Sequence, residues 1–138
     1  MDIRKKTFGI NFPFVNSNNG DYLGLTEIPE REIKANLVHL LLTKKGSRYF
    51  MPEFGTNLYQ YIFEPMSEEL MLKIEDEINA ACENFIPNLK INKINITTYY
   101  DKIEYLTDDK SHHTITIKID YTVQSRTFES SSTVTLTF

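Results

Sequence analysis

Carboxylates are the side chains of this sequence with the most obvious catalytic potential. Glu27 and Glu30 lie near the start of a predicted helix, and Glu53 and Glu64 lie in the segment that follows it. Two carboxyl groups that flank one glycosidic bond, one of them with a raised pKa, can hydrolyse that bond. A chain with 19 acidic residues always contains such pairs, so their presence predicts little. We therefore predict no catalytic residue and keep glycoside hydrolysis, with Glu53 or Glu64 as the acid, as the alternative.

The histidines, the cysteine and the glycines predict no metal or cofactor site. His112 and His113 are adjacent, so in a strand their side chains would face opposite sides and could not easily share a metal ion. His39 is a lone histidine on a predicted helix. Cys82 is the single cysteine, which excludes an internal disulfide and favours assembly in a reducing compartment. The glycines form no phosphate-binding loop, so we expect no cofactor.

Length and composition indicate one domain over residues 1–138. The chain is 41% apolar and 25% charged, both ordinary values for a globular protein. Its formal net charge is −4, whereas a nucleic-acid-binding domain usually carries a basic stripe. No apolar run is long enough to span a membrane, and the basic N-terminus lacks a signal-peptide pattern. We expect neither nucleic acid nor a membrane as partner, and we predict action in the cytoplasm or release by lysis.

The first predicted helix runs from Pro29 to Lys45, after an extended N-terminal segment over residues 1–28. Pro29 suits the first turn of a helix, and Glu30 and Glu32 favour its positive end. Gly46 is predicted to end the helix in the C′ position. Apolar side chains recur at helical spacing, with the stem of a lysine across their edge: Ile33, Leu37, Leu40, Leu41 and Lys44.

Two further helices complete a helical part over residues 29–88. A short one is predicted from Asn57 to Phe63, and a long one from Glu68 to about Phe85. Ser67 is a favourable N-cap for the long helix, and Pro87 ends it because proline disfavours the helical conformation at the preceding residue. Its apolar stripe comprises Leu70, Ile74, Ile78, Ala81, Cys82 and Phe85.

The hydrophobic period changes to two in the β part over residues 89–138. Three stretches alternate apolar and polar side chains, which is typical of half-buried strands: residues 94–100, 115–123 and 133–138. The segments "TDDKSHH" and "QSRTFESSS" are predicted to connect them. Helices followed by antiparallel strands predict an α+β fold, with the N-terminal helices packed on a C-terminal antiparallel sheet or hairpin.

The last predicted strand is a candidate open edge. Thr133, Thr135 and Thr137 lack the charges that usually protect an edge strand from pairing with other chains. The edge is therefore either a site for strand addition by a partner or a surface covered by the N-terminal segment, and the residues alone leave both open.

The connector over residues 46–65 contains prolines, which restrict the backbone, glycines, which permit unusual backbone angles, and several aromatic residues. Phe50, Phe54 and Phe63 are predicted to pin it onto the core, and Arg48 could pair with Glu53. Burial of a large apolar side chain stabilises by roughly 1.5–3 kcal/mol, against about 0–1 kcal/mol for an exposed ion pair. The connector is either a rigid loop presented to a partner or a well-packed corner between helices, and the residues slightly favour the corner.

The stretch "LLTKKGSRYFMPEFGTNLYQYIFEPMS" resembles the baseplate wedge, or sheath initiator, family of contractile-tailed phages and contractile injection systems. The pattern is a helix ending in leucines and Thr, then Gly-x-Arg, Pro-Glu-Phe-Gly, and Leu and Phe-Glu before the next helix. The resemblance extends from about residue 8 to 125. The matching residues are Leu41, Thr43, Gly46, Arg48, Pro52, Glu53, Phe54, Gly55, Leu58, Phe63 and Glu64.

The sequence departs from the family after the long helix. Many members carry Glu-Pro-Arg at that place, at a subunit contact in the baseplate core, whereas this chain has Ile86, Pro87 and Asn88. The proline remains and both charges are absent. We hypothesise that a partner pocket takes Ile86 and that Asn88 keeps a hydrogen bond.

The resemblance implies a structural, non-enzymatic role. It implies partners among other wedge proteins and the sheath subunit, about six copies in the baseplate, a free state that is monomeric, and assembly in the host cytoplasm before residence in the tail baseplate. The edge that accepts sheath strands would comprise Thr133, Val134, Thr135, Leu136 and Thr137. The wedge-docking residues would be Gly46, Arg48, Pro52, Glu53, Phe54, Gly55, Phe63 and Glu64. The alternative is a peptidoglycan-cleaving tail hydrolase, in keeping with the family's historical lysozyme label.

Overall fold

A computed structural model describes residues 9–16, 22–26, 28–61, 63–65, 67–98, 115–124 and 129–138. Glu27, His112 and His113 lie outside these residues, as do most of the two predicted interstrand connections. The fold is α+β, as predicted: helices lie against one face of an antiparallel sheet. Its elements are β1 (Gly9–Ile10), β2 (Leu25–Thr26), α1 (Pro29–Leu42), α2 (Leu58–Tyr61), α3 (Glu68–Phe85), β3 (Leu89–Thr98), β4 (Ile115–Gln124) and β5 (Glu129–Thr137).

Helix α1 begins at Pro29 as predicted but ends at Leu42, three residues early. Thr43 is already extended, and its backbone N–H and hydroxyl both donate to the His39 carbonyl, at 3.0 and 2.6 Å. Lys44 then pairs with Thr56 in a parallel β-bridge. Lys44 therefore does not lie on the helix, and Gly46 is not its C′ residue. The helix ends earlier because the backbone at Lys44 pairs with Thr56 of the same chain.

Helix α3 has the predicted bounds. The Ser67 hydroxyl accepts a hydrogen bond from the Leu70 N–H at 3.2 Å, which is the expected N-cap contact. The apolar stripe is buried except for Phe85, which is half-buried. The short α2 covers residues 58–61, within the range predicted for it.

The larger sheet has the order β3-β4-β5, and both neighbouring pairs are antiparallel. Strand β3 begins at Leu89 rather than near Ile94, with a register shift between Ile91 and Lys93. Strand β5 begins at Glu129, so the run Ser130–Ser132, which we predicted to be connection, pairs with residues 121–123 of β4. Pairing with a buried neighbour outweighs the loop-like composition of the serines.

The core lies between the helices and one face of this sheet. It is formed mainly by aliphatic side chains of α1, α3 and β4, and its largest fully buried side chain is Tyr121. Burial raises the pKa of Tyr121, and it raises the pKa of the Cys82 thiol to about 12. Cys82 is thus a small core residue rather than a reactive thiol.

The described N-terminal segment packs on α1. Strands β1 and β2 pair with each other, and the Phe12 ring stacks on His39 at 5.1 Å between centroids. Strand β5 pairs only with β4 in the part of the chain that the structure describes, so its outer edge is open there. No helix among the described residues has the length and apolarity that a membrane crossing requires.

Candidate functional site

The base of the connector is closed by hydrogen bonds around Thr56. The Thr56 N–H donates to the Thr43 carbonyl at 2.8 Å, and the Lys45 N–H donates to the Thr56 carbonyl at 3.0 Å. The Thr56 side chain is fully buried, and its hydroxyl donates to the Leu41 carbonyl at 2.8 Å. These bonds join the end of α1 to the end of the loop, so residues 46–55 project from a fixed base.

Two glycines allow the chain to turn within this loop. Gly46 has φ +84° and Gly55 has φ +109°, a region that L side chains rarely adopt. A Cβ at Gly55 would overlap the Thr43 carbonyl, whereas a Cβ at Gly46 would meet open space. The Gly46 N–H donates to the Pro52 carbonyl at 2.7 Å and so closes a tighter loop around residues 47–51.

Only one of the three phenylalanines predicted to pin the connector does so. Phe54 packs edge-on against Phe85, with 5.1 Å between ring centroids, and lies 5.7 Å from the His39 ring. Phe50 is 94% exposed and Phe63 is 86% exposed. The prediction was therefore wrong for these two rings, and the hydrogen bonds at the loop base replace the aromatic burial that it assumed.

Arg48 contacts aromatic rings rather than the predicted Glu53. Its guanidinium carbon lies 4.0 Å from the centre of the Phe54 ring, and its Nη2 lies 3.5 Å from His39 Nε2. Partial burial, with a smaller contribution from the Arg48 charge, lowers the pKa of His39. Sequence reasoning treated His39 as an isolated histidine, whereas it lies between Phe12, Phe54 and Arg48. No local signal indicates this, because its neighbours come from the N-terminal segment and from the connector, both outside α1.

Glu27 lies outside the described residues, and none of the other candidate carboxylates, Glu30, Glu53 and Glu64, lines the cavity beside α1. That cavity has a volume of about 370 Å³ and is bordered by Gly9, Ile10, Phe12, Phe14, Ala35, Asn36 and His39. Glu53 and Glu64 are exposed on the connector, and Glu30 is half-buried in the first turn of α1. Among the residues that the structure describes, no three His, Cys, Asp or Glu side chains come together as a metal site.

Glu77 of α3 is a structural residue that the sequence analysis missed. Its two carboxylate oxygens accept hydrogen bonds from the Asn57 N–H and the Tyr61 hydroxyl, each at 2.6 Å. The hydrogen bond to Glu77, burial and nearby carboxylates raise the pKa of Tyr61 to about 12. One carboxylate of α3 thus bonds to both ends of α2, which lies within the connector.

The corner after α3 differs from the hypothesis made for it. Ile86 is only 7% exposed and belongs to this chain's own core, so a partner pocket cannot take its side chain without unpacking that core. Pro87 and Asn88 are exposed, and the Asn88 carbonyl accepts a hydrogen bond from the Gln124 N–H at 2.9 Å. The corner is a joint between helix and sheet whose exposed residues are Pro87 and Asn88.

The open edge of β5 presents alternate backbone groups. Ile115 and Phe138 exchange both of their backbone hydrogen bonds, at 3.1 and 2.9 Å. Because such pairs alternate along an antiparallel ladder, Leu136 and Val134 also bond inward to β4. The N–H and C=O groups of Thr133, Thr135 and Thr137 therefore point outward, and their side chains are exposed.

Comparisons with known proteins agree with this architecture. The chain is 37% identical over 71 residues to the baseplate wedge protein gp25 of Enterobacteria phage T4, which is 51% of this chain and 54% of that protein. The match thus spans about half the length of that relative. Among solved structures, a proposed tail lysozyme from Geobacter sulfurreducens matches with a TM-score of 0.64 and 19% identity, covering 80% of this chain and 90% of that one.

A chain of the anti-feeding prophage baseplate has the same fold. It matches with a TM-score of 0.61 and 17% identity, over 97% of this chain and 89% of that one. The family model for the baseplate wedge protein gp25 matches residues 29–127, from the first residue of α1 to beyond β4. This match covers well over half of the 138 residues and confirms the resemblance found in the connector. The chain therefore belongs to the baseplate wedge protein gp25 family.

Proposed function

We propose that this chain is a structural component of the baseplate of a contractile tail or injection machine, where it links wedge subunits to the first sheath ring. Family membership supports the baseplate role. The open edge of β5 is the observation that carries the link to the sheath. The connector would dock to wedge subunits, and the edge would accept an extended strand from the sheath.

Strand addition at this edge would act as a template for sheath assembly. An incoming strand would form backbone hydrogen bonds with the outward groups of Thr133, Thr135 and Thr137. Val134 and Leu136 are buried in the core and would hold the register of β5. No charged side chain lies in the stretch 130–138 to oppose such pairing.

A proline at position 135 tests this proposal. Thr135→Pro removes an outward N–H while leaving the inward bonds of Val134 and Leu136 to β4 intact. We expect baseplates that contain the variant but carry little or no sheath by electron microscopy. Thr135→Ala is the matched control, because it removes the same side chain and keeps the N–H. Normal sheath on Thr135→Pro baseplates would refute strand addition at β5.

We propose a non-enzymatic role. Membership of the baseplate wedge family and the exposure of Glu53 and Glu64 support it. The described residues that line the α1 cavity include no acidic side chain. The purified chain is expected not to clear peptidoglycan. Clearing that is lost in Glu53→Gln or Glu64→Gln would instead support the hydrolase alternative.

The partners and copy number form a further part of the proposal. The similar anti-feeding prophage baseplate is described as six-fold symmetrised, which supports about six copies per baseplate. We propose assembly in the host cytoplasm from a monomeric, single-domain free state. Quantitative mass spectrometry of particles, before and after the sheath is stripped, should find the chain in six-fold amounts that stay with the baseplate. Absence from particles would contradict the role.

A further inference from the structure

The outermost part of the connector is a pair of exposed aromatic rings beside a methionine. Tyr49, Phe50 and Met51, here called the aromatic tip, are 91%, 94% and 40% exposed. The rings of Tyr49 and Phe50 contact each other edge-on at 5.1 Å between centroids, with an interplanar angle of 85°. Neither ring is part of the core that holds the connector in place, so the fold does not account for them.

The backbone below the aromatic tip is already ordered. The Gly46 N–H donates to the Pro52 carbonyl at 2.7 Å, and the Met51 N–H donates to the Arg48 carbonyl at 3.3 Å. A surface that is ordered before binding loses little conformational entropy on binding. Tyrosine is also enriched among the residues that dominate binding energy at protein interfaces.

Basic residues are close to the aromatic tip in the sequence. Lys44, Lys45 and Arg48 precede it and are exposed, whereas Glu53 is the only acidic residue from position 44 to 55. This local excess contrasts with the net charge of −4 for the whole chain. A partner of complementary charge therefore presents carboxylates around the place where the rings insert.

We propose that the aromatic tip inserts into an apolar pocket bordered by Asp and Glu side chains on a neighbouring baseplate subunit. This inference rests on the proposed baseplate role and specifies the chemistry of one of its contacts. Tyr49, Phe50 and Met51 are not among the residues that carry the family resemblance.

Competition for incorporation measures the contribution of the tip. Tagged variant and untagged wild type are co-expressed in cells that assemble particles, and mass spectrometry compares their ratio in particles with their ratio in the free pool. We expect Phe50→Ala and Tyr49→Ala each to be incorporated at least about tenfold less well than tagged wild type, which corresponds to about 1.4 kcal/mol. Tyr22→Ala is the matched control, because Tyr22 is 94% exposed but lies outside the connector.

Charge reversal tests the acidic border of the pocket. The double variant Lys44→Glu with Lys45→Glu is expected to compete several-fold less well than wild type, whereas Lys73→Glu, at an exposed position of α3, is expected to compete equally. Equal incorporation of all charge variants would refute an acidic border.

Cross-linking identifies the surface that the tip contacts. With p-benzoylphenylalanine at position 50, we expect a cross-link in assembled particles to an apolar segment of another baseplate protein flanked by Asp or Glu. Binding of the purified chain to anionic phospholipid vesicles, lost in Phe50→Ala, would instead identify a membrane contact and overturn the proposal. Normal incorporation of Phe50→Ala would refute insertion of the aromatic tip and leave the baseplate role intact. Exclusion of tagged wild type from particles would refute the baseplate role itself.

Discussion

At the scale of single residues, the shape of the connector depends on Gly55 more than on its aromatic side chains. Gly55 combines a positive φ with close approach to the Thr43 carbonyl, and it directly precedes the buried Thr56. Arg48 and Phe54 form a cation–π contact above this base. Residues that match the family pattern thus keep the loop in shape, while the exposed rings between them are free to contact a partner.

Gly55→Ala is expected to destabilise the protein strongly. The substitution adds backbone strain of about 1–3 kcal/mol and a steric overlap that requires the loop base to move. Gly46→Ala is the control: it carries the strain of positive φ, about 1 kcal/mol, with open space for its methyl group. Urea unfolding followed by circular dichroism measures both. Equal stability of the two variants would show that the close approach at Gly55 does not exist.

At the scale of elements, sequence patterns located the elements better than they located their ends. Ser67 and Pro87 predicted the two bounds of α3, because an N-cap and a helix-ending proline are local properties. The end of α1 and the start of β5 were missed, because Lys44 pairs with Thr56 and Ser130–Ser132 pair with β4, and the local sequence pattern shows neither pairing. Glu77 and His39 were missed as centres of contacts because their partners come from other segments of the chain. The connector, in contrast, was found from its composition and motif.

The tie between α3 and α2 is expected to weaken in Tyr61→Phe. The variant removes a hydrogen bond to the Glu77 carboxylate and should cost about 1 kcal/mol at pH 7, by urea unfolding. Tyr22→Phe, at an exposed position, is the control and should leave stability unchanged. Unchanged stability of Tyr61→Phe would argue that Glu77 holds α2 through Asn57 alone.

The same contact predicts a pH dependence at the alkaline end. The folded-state pKa of Tyr61, about 12, lies above the ordinary value of 10.0, so its contribution to stability is present in full below pH 10 and is lost as pH rises towards 12. The stability difference between wild type and Tyr61→Phe should therefore vanish over that interval. Ultraviolet titration of tyrosinate should also show Tyr61 ionising later than an ordinary tyrosine. A difference that stays constant through pH 12 would contradict the assignment of the Tyr61 hydroxyl proton to the hydrogen bond with Glu77.

At the scale of the whole molecule, the two proposed contact surfaces and the corner at residues 86–88 have different structural roles. The connector projects from the end of α1, the β5 edge is the outer side of the sheet, and the corner at residues 86–88 joins helix to sheet. The core between them links all three, since α1, α3 and β5 each contribute side chains to it. The β5 edge and the base of the connector are therefore joined by packed side chains.

The corner at residues 86–88 contains a buried side chain, Ile86, and an exposed one, Asn88, whose substitutions are expected to differ in their effect on stability. Ile86 is a core residue, so Ile86→Ala is expected to cost about 2–5 kcal/mol in unfolding free energy. Asn88 is exposed and contributes its backbone carbonyl to the joint, so Asn88→Ala should stay within about 0.5 kcal/mol of wild type. Urea unfolding of the purified chains distinguishes them. If Ile86→Ala unfolded at the wild-type urea concentration, Ile86 would be a surface residue after all, and the partner pocket first expected for it would be restored.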